Sequence, residues 1–201
     1  MQIQCFTFGP FETNTFVVND GQQVLLVDPA CSNQYEQQQL YAYINSLNIQ
    51  PSTFHIIATH GHLDHLWGAT WATEQWKTPV LMHEADIPMA KAMQGQYDLF
   101  GIRMKAEPFP IENIQSQILN FQFTIINTPG HTPGSICLYW PAEKVLLSGD
   151  TLFQMGCGRT DLPGGNLGQM MDSLERLLEL PVDTKVYPGH GDFTSIGAEK
   201  R

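Results

Sequence analysis

The run Thr59-His60-Gly61-His62-Leu63-Asp64-His65 places three of the chain's seven histidines, with an aspartate, inside six positions. It follows the apolar stretch Phe54–Ala58, which reads as a short strand. A strand end entering a tight glycine loop is where an α/β protein presents ligand-binding groups. In extended or loop backbone, positions i and i+2 point the same way, so His60 and His62 are placed to grip one metal ion. Asp64 and His65 lie just beyond and reach towards a second. Ordinary loop polarity does not produce this density of ligand types.

Comparable settings recur downstream. His131 sits in Thr128-Pro129-Gly130-His131-Thr132-Pro133-Gly134, between two apparent strands. Asp150 follows the apolar run Val145–Leu147 in Ser148-Gly149-Asp150, and His190 ends Tyr187-Pro188-Gly189-His190. Each is a candidate ligand past a strand, flanked by Gly or Pro, which fix or sharpen the turn. His55 and His83 read as structural or surface residues. All seven candidate ligands are N or O donors, which fits Zn and leaves Fe or Mn open.

The remaining pattern is that of an α/β chain. Strands are expected at Gln2–Phe8, Thr15–Val18, Val24–Asp28, Phe54–Ala58, Pro79–Met82, Phe121–Ile126, Ser135–Trp140, Lys144–Leu147 and Lys185–Tyr187. Asn33 with Glu36, and Asn166 with Gln169, have capping-box spacing ahead of helical runs (Leu40, Ile44, Leu47; Met170, Leu174, Leu177, Leu178). Residues 1–201 are expected to form one domain, long enough to bury about 70% of its unfolded surface. A net charge of −10 disfavours nucleic acid. No apolar run approaches the ~18 residues of a membrane span. The four cysteines show no CxxC pair and no signal peptide is visible, so a cytoplasmic setting is expected.

In order and spacing, His60-x-His62-x-Asp64-His65, then His131, Asp150 and His190, resembles the metal-binding pattern of the metallo-β-lactamase superfamily over nearly the whole chain. The resemblance implies an αββα four-layer sandwich with two divalent metal ions. His60, His62 and His131 would hold one ion, Asp64, His65 and His190 the other, and Asp150 would bridge them. Asp150 and His62 are similar to the di-metal hydrolases of the fold; the best-known β-lactamases carry Cys at the first position, and flavodiiron reductases carry Glu at the second. The stretch Gly149–Arg159 looks like the matching part of glyoxalase II (hydroxyacylglutathione hydrolase), and Arg159–Gly165 like its short bacterial relatives without the C-terminal helical domain.

That resemblance implies hydrolysis of a small thioester such as S-lactoylglutathione. Two cations lower the pKa of a shared water towards ~7, and Asp64 would orient the resulting metal-bound hydroxide. Arg159 occupies the position of a glutathione-binding cation; it binds a substrate carboxylate or pairs with Asp161. Asp28 either braces the histidine loop or is a plain turn residue. Cys157 reads as a small packed residue in its Gly-Cys-Gly turn. Met82–Met104 is either a cover over the substrate or ordinary helix packing, while Trp67 and Trp71 read as core. A mononuclear-iron persulfide dioxygenase, which has a similar Gly156–Asp161 run, and a lactonase or other ester hydrolase are the alternatives on this fold.

Overall fold

A computed structural model describes residues 1–21, 23–48, 54–114 and 122–200. The chain divides into two compact units, Met1–Ile114 and Gln115–Arg201.

In the first unit β1 (Gln2–Phe8), β2 (Thr13–Asn19), β3 (Val24–Val27), β4 (Phe54–Ile57), β5 (Val80–Met82) and β6 (Ile111–Asn113) form a six-stranded sheet in that order. The first three are antiparallel and β3 to β6 run parallel. All four residues of β3, Val-Leu-Leu-Val, are buried, the unbroken apolar run of a strand covered on both faces. The carboxyl ends of β3 and β4 lie side by side and lead into Asp28 and the His60 loop.

Helix α1 (Gln34–Ser46) buries Leu40 and Ile44. Asn33 accepts from Glu36 N at 3.0 Å, but the Glu36 carboxylate takes the amides of Ser32 (2.6 Å) and Gly9 (3.1 Å) instead of reaching back to Asn33. The expected box is therefore half formed, and its other half ties down the β1–β2 turn. Helix α2 (Ala69–Trp76) was not legible as a helix, because Thr, Trp and short Ala steps give little periodicity. A 3₁₀ turn at Glu84–Asp86, α3 (Ile87–Lys91) and α4 (Met93–Leu99) follow β5.

The second unit holds β7 (Thr124–Asn127), β8 (Ile136–Trp140), β9 (Val145–Gly149), β12 (Lys185–Pro188) and β13 (Thr194–Ser195) in the order β13-β12-β9-β8-β7, with a hairpin of β10 (Leu152–Phe153) and β11 (Gly156–Cys157). Phe121, expected to open β7, lies outside the described residues. Strands β9 and β12 are parallel, with Pro188 opposite Gly149, and β7 and β9 are both antiparallel to β8. These three strands therefore end on one edge, where the chain reaches His131, Asp150 and His190. Helix α5 (Leu167–Leu178) starts at Asn166, which accepts from Gln169 N at 3.0 Å, and buries Met170 and Leu177; α6 (Ile196–Glu199) closes the unit. Among the described residues no helix is long and apolar enough to cross a membrane.

Candidate metal centre

Asp28 organises the first unit's ligand loop. Its backbone is left-handed (φ 53°), a conformation Asp tolerates, and its carbonyl is held by Thr15 Oγ1 at 2.6 Å. The carboxylate accepts from Thr59 N (2.7 Å), Thr59 Oγ1 (2.7 Å) and His65 Nδ1 (2.9 Å). A carboxylate only accepts, so the His65 proton sits on Nδ1 and Nε2 keeps its lone pair. Because the Thr59 hydroxyl hydrogen goes to Asp28, its oxygen accepts from His60 Nδ1 at 3.1 Å. One buried aspartate thus sets the tautomer of two histidines, an arrangement common behind metal-ligating imidazoles.

The loop itself is compact. The His60 ring lies 4.8 Å from that of His62 and 4.1 Å from that of His65. His65 Nε2 is 3.5 Å from Asp64 Oδ2, and the Thr13 hydroxyl donates to the same Asp64 oxygen at 2.9 Å. From behind, Asp86 Oδ2 accepts from Gly61 N at 2.8 Å. Gln96 Oε1 accepts from Leu63 N at 2.9 Å, while its Nε2 donates to the carbonyls of Gly61 (2.9 Å) and Met89 (3.2 Å).

In the second unit His131 Nδ1 donates to the Arg159 carbonyl at 2.7 Å, again leaving the lone pair on Nε2. Asp150 Oδ2 lies 3.4 Å from His131 Nε2 and 3.5 Å from His190 Nε2. These separations exceed the 2.7–3.2 Å of a good hydrogen bond. They match the edge, roughly 3.4 Å, of a tetrahedron of N and O ligands around a cation at ~2.0–2.1 Å. A buried carboxylate facing imidazole lone pairs is the chemistry a divalent cation satisfies, so the donor sets fit metal.

A family model described as the metallo-beta-lactamase superfamily matches residues 8–190. The chain belongs to this superfamily. It is similar to a probable metallo-hydrolase, YqgX, of Bacillus subtilis, 35% identical over 96% of this chain and 91% of that protein. It is also similar to the hydroxyacylglutathione hydrolase GloC of Haemophilus influenzae, 32% identical over 100% of this chain and 96% of the other. The crystal structure of TTHA1623 in a di-iron-bound form superposes with a TM-score of 0.87 at 32% identity, over 98% of this chain and 97% of that one. The fold is that of the superfamily, the activity is of its metallo-hydrolase type, and the clustered histidines and aspartates suit divalent metal whose identity stays open.

Within this member of the superfamily two sequence expectations change or sharpen, those for Cys157 and Arg159. Cys157 is exposed on β11, not packed; the packed position is Gly158, where a Cβ would stand 1.9 Å from the Asp150 carbonyl oxygen. Burial pushes the Cys31 and Cys137 thiols up to about 12 and about 11. Arg159 forms a two-pronged bond to Asp161, Nε to Oδ1 at 2.7 Å and Nη2 to Oδ2 at 2.6 Å, which holds the Asp161 carboxyl down at about 2; both side chains are exposed.

The stretch Met82–Met104 supplies Asp86 and Gln96 to the histidine loop and buries Met93 and Tyr97. Thr13, Asp86 and Gln96 carried no sequence signal, because hydrogen bonds to a distant loop leave no spacing to read. Gln96→Ala strands the buried Leu63 amide, a loss of about 1–3 kcal/mol. The expected result is a thermal midpoint lower by roughly 3–10 °C, read by calorimetry.

Proposed function

We propose that the chain is a metal-dependent thioester hydrolase, and that residues 1–201 act as one domain whose two ligand sets complete one di-metal centre. His60, His62 and His131 would hold one ion, Asp64, His65 and His190 the other, and Asp150 would be shared by the two. Zn is the first candidate, with Fe or Mn as alternatives. The observation that carries this reading is the single direction in which the imidazoles are set: His60, His65 and His131 all have Nδ1 engaged, leaving Nε2 for metal.

When bound, the ions supply Lewis acidity and lower the pKa of a coordinated water towards ~7. The chain's own residues do the rest. Thr13 fixes the carboxylate of Asp64, which orients the attacking water towards the thioester carbonyl. Asp28 keeps the His60 and His65 rings from rotating as charge builds. Water adds to the carbonyl, the C–S bond breaks, and the products are a carboxylic acid and a thiol. A thiol pKa near 8.5 makes the thiolate a leaving group that needs little acid help. Arg159, through the guanidinium hydrogens not directed at Asp161, meets a carboxylate on the thiol carrier. The similarity to GloC supports a glutathione-type carrier. The partner in this reading is a small thioester met in the cytoplasm; a net charge of −10 disfavours nucleic acid.

The test is a thioester panel that includes S-D-lactoylglutathione, followed by thiol release, with oxygen uptake on glutathione persulfide run in parallel. The reading expects thioester turnover with kcat/KM of at least about 10⁴ M⁻¹s⁻¹, abolished by chelation and restored by metal. Oxygen consumption with the thioesters left intact would contradict it.

A further inference from the structure

Phe11 and Phe100 are 39% and 42% exposed, yet their rings pack edge to face with centroids 5.9 Å apart. Phe11 also lies 6.0 Å from Trp67, which in turn lies 6.1 Å from Tyr97. The result is a ladder of four aromatic rings, exposed at Phe11 and Phe100 and buried at Tyr97. Its place is fixed by the ligand loop: Trp67 comes two residues after His65, and Phe11 two residues before Thr13, whose hydroxyl holds Asp64 at 2.9 Å.

The turn carrying Phe11 is built and held, not loose. Gly9 (φ 69°) and Glu12 (φ 53°) are both left-handed, and Glu12 N donates to the Gly9 carbonyl at 3.2 Å. Gly9 N is tied to Glu36 at 3.1 Å at one end and Thr13 to Asp64 at the other. Glu12 pays backbone strain that glycine would avoid, and such strain tends to persist where it positions a group. The group positioned here is a phenyl ring presented to solvent.

We propose that Phe11 and Phe100, backed by Trp67, seat the acyl part of the substrate, and that this part is an alkyl or aryl chain. The proposal rests on the thioester-hydrolase reading and narrows its substrate class. A glutathione-like carrier brings amide and charged groups, which these rings would strip of water without replacing its hydrogen bonds. An alkyl or aryl group loses nothing polar and removes exposed ring surface from water. The acyl side of the scissile bond therefore belongs on this face, and a bulky apolar acyl group fits it better than a small hydroxyacyl group.

The experiment is calorimetric titration of the metal-loaded protein with acetate, butanoate, hexanoate and octanoate, the class of acid that hydrolysis would release. Full burial of a methylene gives roughly a 4-fold gain in affinity. A chain laid on a half-open platform is expected to gain about 2-fold per methylene. Phe11→Ser and Phe100→Ser, made singly, should each flatten that slope and weaken octanoate several-fold, with acetate binding and metal content unchanged. Octanoate binding no tighter than acetate to the unaltered protein overturns the proposal, as does a slope that survives both substitutions. A chain-length slope without turnover of any thioester leaves the seat standing and removes the thioester reading. Turnover without the slope does the reverse.

Discussion

Asp150→Ala is expected to lower kcat by on the order of 10³-fold or more and to weaken metal binding at both positions, leaving one equivalent or fewer under conditions that saturate the unaltered protein. Two divalent ions about 3.5–4 Å apart repel by some 10–20 kcal/mol even at an effective dielectric of 20. A bridging carboxylate offsets much of that repulsion, and Asp150 is buried with Oδ2 within 3.5 Å of both His131 and His190. Asp150→Asn separates charge from shape, since it keeps the volume and loses the anion. It should resemble the alanine variant in metal content while keeping more of the thermal stability. Metal analysis beside steady-state kinetics reads both effects. Near-normal metal content in either variant would mean that Asp150 is not the bridge.

Gly158→Ala is expected to be nearly as damaging, although it replaces no candidate ligand. The added Cβ would lie 1.9 Å from the Asp150 carbonyl oxygen and 3.0 Å from His131 Nδ1. Neither neighbour is the free end of a flexible chain, so the turn has to move, and with it the Arg159 carbonyl that sets the His131 tautomer. Overpacking of this kind destabilises by typically 1–3 kcal/mol, and here it also misdirects an imidazole. Gly156→Ala is the internal control, because a Cβ there meets nothing within 4 Å. The pair is read by thermal midpoint and metal affinity. Equal behaviour of the two variants would refute the packing argument.

Candidate ligands were easy to pick out because their types are rare and their spacing is short. His60, His62, Asp64 and His65 announce themselves within one loop. His131, Asp150 and His190 are visible because Gly and Pro mark the strand ends that carry them. Capped helices were legible for the same local reason, as Asn33 and Asn166 show. The supporting residues were not. Asp28 was ambiguous between brace and turn because its three hydrogen bonds go to residues more than thirty positions away. Gln96 and Asp86 fall inside the stretch Met82–Met104 with no signal of their own, and Thr13 falls between two expected strands. Cys157 misled because the local pattern Gly-Cys-Gly does not say which of its members is packed. Arg159 showed both its charge and its Asp161 partner in sequence, but not that its backbone carbonyl holds His131.

Metal stoichiometry is the most direct test of the central claim. The protein is stripped with chelator, titrated with Zn and separately with Fe(II) and Mn(II), and the bound metal is counted per chain. Two equivalents are predicted, falling to one or fewer in Asp150→Ala, with Asp64→Ala and His62→Ala each weakening a different one of the two. A single equivalent at saturation, unaffected by loss of Asp64 or His190, would contradict the di-metal account.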